Sequence, residues 1–557
     1  MIAASVSAML EWLERSHARA AVLLLFICLC LFVPGFTSLP PMDRDEPRFA
    51  QASRQMLETG DFVDIRFQTE ARHKKPVGIY WLQTAVVSGA EALGIPEARR
   101  SIWIYRLPSL AGAILAVLMT YAVAIVLTTR RAAFIAAALF AATILIGVEA
   151  RLAKTDAVQA ATIVAAMAAL ARVWISREDP KARLGWGWWT VFWVSIGAGV
   201  LVKGPITPLV VALAALVLAL ADGSARWLGR LRPLRGALVV LAMAAPWFLA
   251  IMLKSGGAFF EEAVGQDMLG KVAAGQESHG APPGTYLLAF LGTAWPMAPF
   301  VLLAIPFAWR ERWRDDVLFV LAWAVPMWVV FELVPTKLPH YVLPLYPALA
   351  ILVALAAERQ SLALHGRLPR WVMGLLPFLV VGLAGIAAGA LWVLDSTIPF
   401  VALPVFALAV LAAVAAWRFV FARTFGSAVM MAVVASVLVS ISTYGWSVPL
   451  LRSVALSPRL AEAAKAMDCP VEGFATSGYR EPSLVFLTRT DLEMTDGAGA
   501  ARFLRDGSCR VAFVESRQEA AFLAGLPSDA PPRLLSRVQG LNLNGGRRLD
   551  IGVYRGP

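Results

Sequence analysis

The chain has 557 residues, of which 59% are hydrophobic, and it carries a formal net charge of +12 at pH 7. Its mean hydropathy of +0.67 excludes an ordinary soluble protein and predicts one that is mostly embedded in a lipid bilayer. No stretch combines clustered basic residues with interleaved aromatic residues, so the positive charge does not indicate nucleic-acid binding.

Apolar segments recur along the chain as far as about residue 445. A helix needs about 20 apolar residues to cross a hydrocarbon core about 30 Å thick. Thirteen segments approach this length, and they predict a mostly α, polytopic membrane protein with about 13 transmembrane helices. The segments lie near residues 20–36, 107–127, 132–147, 157–173, 188–201, 205–221, 235–253, 285–308, 317–333, 341–357, 371–394, 399–417 and 425–445.

Basic side chains are concentrated in alternate short loops between these segments. Such loops mark the cytoplasmic side of a membrane protein, and they include Arg130 and Arg131 as well as Arg310, Arg312 and Arg314. The intervening loops carry mixed clusters of Asp, Glu, Lys and His. An odd number of spans then places the residues after 445 outside the cytoplasm.

The first exported loop, roughly residues 37–106, is too long for a simple connector. Apolar residues recur between Phe49 and Leu57 at the spacing of a short amphipathic helix on the membrane surface. Gly60-Asp61-Phe62 predicts an extended piece. The run Ile79-Tyr80-Trp81-Leu82-Gln83 predicts a second interfacial helix, with aromatic residues at headgroup depth.

From about residue 446 the hydropathy falls, and helical and extended runs alternate as in a small α/β domain. We predict helices at 459–467, 500–505 and 519–524, extended runs at 471–476, 483–487 and 510–515, and a hairpin around Asn544-Gly545-Gly546. The predicted domains are therefore residues 1–445, in the membrane, and residues 446–557, exported.

Cys469 and Cys509 each lie just before an extended run of this second domain. If the two runs are neighbouring parallel strands, their first residues lie about 5 Å apart, within the Cα range of about 4.4–6.8 Å that a disulfide requires. An oxidising compartment would favour the bond. We therefore predict a Cys469–Cys509 disulfide, the alternative being two unpaired buried thiols.

Three carboxylates of the exported loops, Asp45, Glu46 and Asp156, are candidate catalytic residues. A carboxylate beside basic groups can accept a proton from an incoming nucleophile. An Asp-Glu pair at the start of a helix also stabilises the positive end of the helix dipole. The two roles are compatible, so both remain open for Asp45 and Glu46.

Four lysines, Lys75, Lys203, Lys271 and Lys337, lie at the ends of spans on the exported side. Such lysines usually extend their ammonium groups to the interface, but four of them on this side run against the positive-inside bias. Ammonium and guanidinium groups at headgroup depth suit a lipid phosphate. We predict that these lysines, with Arg48, bind a lipid phosphate, and that Lys75, Lys271 and Lys337 converge on one cavity.

Two histidines, His279 and His340, complete the set of candidate residues. Glu277-Ser278-His279, with Glu261 or Glu262 nearby, lacks the fixed spacing of a known metal site. A single histidine is more often a satisfied polar residue than a ligand. The sequence therefore establishes no cofactor, and a divalent metal ion held by His279 is the one candidate.

These motifs carry a resemblance to a known family. Asp45-Glu46-Pro47-Arg48-Phe49-Ala50, followed by Met56-Leu57, Gly60-Asp61, Lys75-Pro76 and Tyr80-Trp81-Leu82, resembles the first exported loop of bacterial GT-C glycosyltransferases. The group concerned is the protein-mannosyltransferase-like family that includes the lipid A aminoarabinose transferases (ArnT-like). Lys337-Leu338-Pro339-His340-Tyr341-Val342-Leu343-Pro344 is similar to its Lys-Leu-Pro-x-Tyr segment, and Asp156 after Arg151 is similar to its second acidic loop. The resemblance covers roughly residues 37–350.

The resemblance implies a GT-C fold, a polyprenyl-phosphate sugar donor, an inverting transfer and a periplasmic active site in the bacterial inner membrane. Asp45 would be the general base, Lys75 and the basic residue of the long loop would hold the donor phosphate, and Tyr80, His340 and Tyr341 are candidate substrate-binding residues. Two positions depart from the aminoarabinose transferases. Lys74 stands where these are often acidic, which weakens a metal site. Lys271 stands where they tend to have Arg, and both departures weaken aminoarabinose as the sugar.

The leading hypothesis is an enzyme that transfers a sugar from polyprenyl (undecaprenyl) phosphate to lipid A or another envelope glycolipid. Transfer to Ser or Thr of a protein is the alternative within the same class, and a transporter or flippase is the alternative of another class. No P-loop, G-x-G-x-x-G or G-x-S-x-G motif supports nucleotide-driven transport or serine hydrolysis. The expected partners are the donor, a glycolipid or protein acceptor and the lipid bilayer, without nucleic acid.

Overall fold

The computed structural model of the chain describes residues 2–41, 45–270, 280–527 and 531–556. Within these ranges nineteen α-helices before residue 445 form a membrane domain, most of them packed around one hydrophobic core. In chain order they are α1 Ile2–Glu14, α2 His17–Phe32, α3 Asp45–Thr59, α4 Gly78–Ala92, α5 Ile102–Leu127, α6 Arg130–Ala141, α7 Ile144–Glu149, α8 Asp156–Ile175, α9 Trp186–Lys203, α10 Ile206–Asp222, α11 Pro233–Ser255, α12 Ala258–Phe260, α13 Thr285–Thr293, α14 Met297–Arg310, α15 Asp315–Leu333, α16 Tyr346–Glu358, α17 Leu368–Asp395, α18 Ala402–Phe421 and α19 Phe425–Ser440.

Each of the thirteen predicted apolar segments coincides with helical structure. In the described part of the chain, eight helical segments are long and apolar enough to cross a membrane, and α2, α10 and α14 are shorter apolar helices. The chain is therefore a mostly α, multi-pass membrane protein, as predicted.

Two of the predicted spans are interrupted. The span predicted at 132–147 consists of α6 and α7, and the span predicted at 285–308 consists of α13 and α14, which separate around Trp295-Pro296. Proline has no N–H to donate to the preceding turn, which accounts for the second break. The backbone N–H of Ile144 donates to the carbonyl of Trp295 at 3.0 Å, so the two breaks satisfy each other's backbone groups.

The first loop contains the two predicted helices, α3 and α4, and between them two short antiparallel strands, β1 Arg66–Phe67 and β2 Glu70–Ala71. The apolar faces of the helices meet, with the rings of Phe49 and Tyr80 at 5.4 Å between centroids. Met56 and Ile79 are buried in the same cluster. This packing fixes the first turn of α3, which carries Asp45 and Glu46.

The C-terminal domain is an α/β unit with its own core. Its five-stranded sheet has the order β4-β3-β5-β7-β6, in which β4, β3 and β5 are parallel and β7 is antiparallel to both neighbours. Its elements are the helices α20 Leu456–Ala464, α21 Pro482–Leu487, α22 Gly497–Arg505 and α23 Ser516–Ala524, and the strands β3 Gly473–Ser477, β4 Glu493–Thr495, β5 Arg510–Glu515, β6 Arg533–Asn542 and β7 Arg547–Arg555.

One element of this domain differs from the prediction. The run 483–487, predicted as extended, is the helix α21. Pro482 occupies the first position of α21, where its fixed φ suits a helix and its missing N–H costs nothing. A short apolar run has no periodicity that separates a strand from a buried helix, which explains the error. The other predicted helices, strands and the hairpin are confirmed.

The predicted disulfide is present. Cys469 and Cys509 are bonded, with their Cα atoms 6.3 Å apart. The strands that follow them, β3 and β5, are neighbouring and parallel, with Gly473 opposite Arg510. The geometric reason for the prediction is therefore also confirmed.

The C-terminal domain rests on helix α3. Arg54 donates from Nη1 to the carbonyl of Phe486 at 2.8 Å, and Gln51 donates to the hydroxyl of Thr490 at 2.8 Å. That hydroxyl donates in turn to Glu58 at 2.5 Å. The end of α21 and the segment between α21 and β4 thus hold one side of the helix that begins at Asp45.

Candidate functional site

A buried ion pair organises the loops that carry the candidate residues. Glu46, in the first turn of α3, is fully buried, and the guanidinium of Arg106 donates to its two carboxylate oxygens at 2.7 Å and 3.0 Å. The backbone N–H of Ala153 donates to the same carboxylate at 3.0 Å. Arg106 also donates to the carbonyls of Phe36 and Leu39. One pair therefore joins the end of the first span, α3, α5 and the loop before α8.

This environment suits a residue that positions the loops, whereas the catalytic role of Glu46 stays a prediction. Its two oxygens already accept three hydrogen bonds, and the side chain is enclosed by protein. A general base must reach the proton that it removes. Removing either partner would leave a buried charge without its counter-charge, at a cost of about 3–5 kcal/mol.

The second acidic loop, residues 149–156, forms a compact charge network. Asp156 begins α8 and accepts a short hydrogen bond from the ammonium of Lys203. The ring of His340 lies between two carboxylates, with Nε2 3.7 Å from Asp156 Oδ1 and Nδ1 3.8 Å from Glu149 Oε1. Lys154 Nζ lies 3.7 Å from the same Glu149 oxygen. The imidazole of His340 thus lies between two carboxylates, and each carboxylate also has an ammonium group beside it.

Among the described residues, Glu149, Asp156 and His340 bring three ligand-type atoms within 4.8 Å of one another. This triad is a possible metal-binding group, but Lys203 and Lys154 also lie beside its carboxylates, and no cofactor is established. We therefore derive no step through a metal here. The predicted ligand His279 lies outside the described residues.

A cavity of about 550 Å³ adjoins this network, and we call it the lysine cavity. Its polar lining comes from α8, α9, the segment before α4 and the segment before α16. Its walls are apolar and come from α10, α11, α15 and the segment 259–269. The lining residues on which the argument depends are Lys74, Lys75, Asp156, Lys203, Asp267, His340 and Tyr341 at the polar end, and Phe248, Phe259, Phe260, Met327, Val330 and Phe331 along the walls.

Two of the lysines that line this cavity, Lys75 and Lys203, pair with carboxylates. Lys75 Nζ donates to Asp267 at 2.6 Å, and Lys203 pairs with Asp156. Lys203 is the last residue of α9, and Gly204 ends the helix at φ 65°, a conformation that glycine adopts without strain. Lys203 Nζ also lies 5.2 Å from the centre of the Tyr341 ring. Each ammonium has three donors, so a phosphate oxygen can bind it alongside the carboxylate.

Asp45 lies next to Glu46 but in the opposite environment. Its side chain is 50% exposed, and Arg48 Nη1 lies 3.8 Å from its carboxylate. Asp45 is within electrostatic reach of Tyr341, a lining residue of the lysine cavity. The carboxylate that stays accessible in this motif is therefore Asp45.

The remaining predicted residues occupy different positions. Tyr80 is fully buried against Phe49, and burial raises the pKa of its phenol; its role in substrate binding stays a prediction. Lys337 is buried beside the cavity, where Nζ donates to the carbonyl of the lining residue Val334 at 2.7 Å. Lys271 lies outside the described residues. Of the three lysines predicted to converge, the described part of the chain places Lys75 in the cavity lining and Lys337 beside it.

Sequence reasoning missed three partners that the structure brings to the site: Arg106, Glu149 and Asp267. Arg106 and Glu149 each carried a signal, because a charge near the end of an apolar segment is costly unless it is paired. Asp267 carried none. Its partner Lys75 is 192 residues away in the chain, and no local pattern connects them.

The chain is similar in sequence to several known proteins. Residues 74–249 match the family model "Dolichyl-phosphate-mannose-protein mannosyltransferase". An undecaprenyl phosphate-alpha-4-amino-4-deoxy-L-arabinose arabinosyl transferase of Pseudomonas paraeruginosa is 29% identical over 358 residues, which cover 62% of this chain and 60% of the relative. A protein of the same description from Erwinia tasmaniensis is 28% identical over 317 residues, which cover 56% of this chain and 54% of the relative. The matched region thus spans less than two thirds of these relatives.

The solved structures match over nearly the whole chain. ArnT from Cupriavidus metallidurans, crystallised with undecaprenyl phosphate, superposes with a TM-score of 0.74 and 19% identity, covering 96% of this chain and 98% of that one. The archaeal oligosaccharyltransferase AglB from Archaeoglobus fulgidus gives a TM-score of 0.51 and 12% identity, covering 90% and 69%. The fold is therefore the GT-C fold. The sequence matches make the chain similar to protein-mannosyltransferase-like and ArnT-like proteins, the resemblance that the first-loop motif carries.

Proposed function

We propose that the protein is an inverting glycosyltransferase that moves a sugar from a polyprenyl phosphate, such as undecaprenyl phosphate, to lipid A or another envelope glycolipid. The observation that carries the proposal is the lysine cavity. It combines ammonium groups at one end with apolar, aromatic walls, which matches a ligand with a phosphate head and a hydrocarbon tail. The name of the matched relatives and the ligand of the ArnT crystal structure support the same ligand class.

In this proposal the donor phosphate binds between Lys75 and Lys203. Both ammonium groups line the cavity, and each carries three N–H donors. Arg48, Lys271 and Lys337 remain proposed contributors, and Lys74 adds a further positive charge to the lining. A leaving phosphate gains negative charge in the transition state, so fixed cations beside it lower the barrier.

Asp45 is the proposed general base. Its carboxylate accepts the proton of an acceptor hydroxyl as that oxygen attacks the anomeric carbon from the face opposite the phosphate. The bond from the anomeric carbon to the phosphate oxygen breaks with its electron pair, and polyprenyl phosphate leaves. A positioned base of this kind contributes roughly 10²–10⁴-fold to the rate.

Asp156, His340 and Tyr341 are proposed to orient the donor. Asp156 fixes the ammonium of Lys203, and His340 joins Asp156 to Glu149. Tyr341 lines the cavity beside Lys203, where its ring can pack on the sugar or on the first prenyl units. The proposed contribution of Asp156 is therefore to hold the phosphate-binding lysine in place.

We further propose that residues 1–445 form the catalytic domain in a bacterial inner membrane and that residues 446–557 form a periplasmic domain. The charge asymmetry of the short loops supports this orientation. The Cys469–Cys509 disulfide supports an oxidising compartment for the second domain.

Mass spectrometry of envelope lipids and glycoproteins from a deletion strain tests the proposal. We expect a glycolipid that lacks one sugar, restored by the wild-type gene and not by a gene encoding Asp45→Asn. A sugar missing from Ser or Thr of glycoproteins, with unchanged glycolipids, would replace the acceptor class by proteins. Lipids and glycoproteins that are both unchanged would overturn the proposal.

A further inference from the structure

A second large cavity lies at the other end of the helix bundle. Helix α16 runs from Tyr346, close to the lysine-cavity residue Pro344, to Glu358, which lines this second cavity. Its volume is about 800 Å³, within the range of small-molecule sites. Residues of α1, the α5–α6 turn, the segment after α16 and the α18–α19 turn line it. We call it the arginine cavity.

Three arginines, Arg130, Arg131 and Arg423, line the arginine cavity, together with the carboxylates of Glu14 and Glu358. Glu358 is engaged by the start of α6, because the hydroxyl of Thr128 and the backbone N–H of Thr129 donate to it. Arg131 is half-buried, and within the described residues it makes neither a hydrogen bond nor an ion pair. A guanidinium in this position has donors left for an anion.

The first turn of α19 adds uncharged donors to the same cavity. Thr424 precedes the helix, and within the described residues its side chain does not cap the first-turn N–H groups. Ser427, in that turn, is 4% exposed, lines the cavity and forms no side-chain hydrogen bond with any described residue. The guanidinium of Arg131 lies against Gly426 of the same turn. A buried hydroxyl, free first-turn amides and a guanidinium on one wall suit a phosphate group.

Helix α1 places this site at the membrane surface. Leu10 and Leu13 are buried against the membrane domain, whereas Trp12 is 47% exposed and lies under the guanidinium of Arg19 at 4.7 Å. Such a helix lies in the plane of the interface at headgroup depth. Arg130 donates to the carbonyl of Glu14 at the end of α1, so the cavity opens beneath an interfacial helix.

We propose that the arginine cavity binds the phosphate of an anionic phospholipid from the leaflet at this end of the protein. Basic pockets between helices on the cytoplasmic side are suited to such headgroups. The apolar lining residues Ile135, Leu362 and Val420 provide a surface for the glycerol and the first acyl carbons. A lipid fits this combination better than a soluble anion does. The site is separate from the proposed donor site and does not depend on the proposed reaction.

Native mass spectrometry of the detergent-purified full chain tests the proposal. Phosphatidylglycerol or cardiolipin should bind saturably, and phosphatidylcholine should bind at least tenfold more weakly. Arg131→Gln combined with Arg423→Asn should weaken anionic-lipid binding by about tenfold or more, because each change removes a charge-assisted contact. Asn suits position 423 because Arg423 has a φ of 58°.

Arg310→Gln is the matched control, since Arg310 is exposed on a basic loop and is not among the residues that line the cavity. It should leave lipid binding unchanged. Arg131→Lys provides a second variant that keeps the charge and should bind more tightly than Arg131→Gln. Equal binding by the wild type and the double variant would overturn the proposal. Inorganic phosphate that competes as well as the lipid at equal concentration would overturn the assignment to a lipid.

Discussion

The membrane domain and the C-terminal domain are stabilised by different means. Within the described residues, nine buried Asp, Glu, Lys, Arg or His side chains belong to the membrane domain, and two, Glu481 and Glu515, belong to the C-terminal domain. The nine all lie in the first loop, in the second acidic loop or at Lys337. The C-terminal domain instead has an apolar core, a mixed sheet and a disulfide.

This difference shows that the buried charged side chains are concentrated in the loops of the membrane domain. A buried charge requires a partner, and the partners in the membrane domain belong to distant segments, as in Glu46 with Arg106. These pairs fix the loops around the lysine cavity. The C-terminal domain contacts α3 and lines no part of the lysine cavity in the described residues. We therefore expect substitutions in the C-terminal domain to affect the stability of the protein more than the rate of sugar transfer.

Asp45→Asn should give the largest difference between an effect on activity and an effect on stability. We expect sugar transfer to fall roughly 10²–10⁴-fold, because the acceptor hydroxyl loses its base. The melting temperature and the affinity for undecaprenyl phosphate should stay within error of the wild type. Asp506→Asn, at an exposed position of the C-terminal domain, is the control. Near-normal transfer by Asp45→Asn would remove Asp45 from the mechanism and leave Asp156 as the candidate base.

Two Glu→Gln variants compare the ion pairs of the two domains. Glu46→Gln should destabilise the protein by about 3–5 kcal/mol, because it leaves the buried charge of Arg106 without its counter-charge. Glu515→Gln should leave the stability nearly unchanged, because its partner Arg517 is 55% exposed and solvent screens the pair. Thermal unfolding in detergent measures both. If the two variants lose similar amounts of stability, burial of the ion pair does not explain a difference between the two domains.

Removing the disulfide should affect the C-terminal domain selectively. Cys469→Ser with Cys509→Ser should lower the stability of this domain by about 2–4 kcal/mol, since the bond closes a loop across 40 positions of the chain. Limited proteolysis should cut the C-terminal domain faster while the membrane domain stays intact. Cys30→Ser is the control, because Cys30 is not disulfide-bonded. Faster cleavage within the membrane helices would contradict the separation of the two domains.

The smallest effect is expected at the contact between the domains. Thr490→Val removes the hydroxyl that accepts from Gln51 and donates to Glu58, at a cost of about 1 kcal/mol. We expect transfer activity to fall only a few-fold, because α3 keeps its ion pair with Arg106. Thr495→Val, in strand β4 of the same domain, is the control. A loss of activity as large as that of Asp45→Asn would show that the C-terminal domain controls the base directly.

The sequence predicted the elements of both domains better than it predicted the site. Hydropathy and loop charge located every apolar segment, and the spacing of Cys469 and Cys509 relative to two strands predicted their bond. The sequence could not predict a residue's environment where distant segments set it. The sequence around Tyr80 predicts an aromatic residue at headgroup depth, yet its side chain is buried against α3. Glu46 and Asp45 are adjacent in the chain. Only Glu46 is paired with Arg106 and buried, whereas Asp45 is half exposed.

The contacts of α3 also set an order for biosynthesis. A chain is made from its N-terminus, so Asp45 and Glu46 emerge well before Arg106, which holds the start of their helix. The other side of that helix is held by Phe486 and Thr490, which are translated near the end. The first loop to leave the ribosome is therefore among the last to be completed. A chain that stops before residue 486 would insert its helices with α3 docked on one side only.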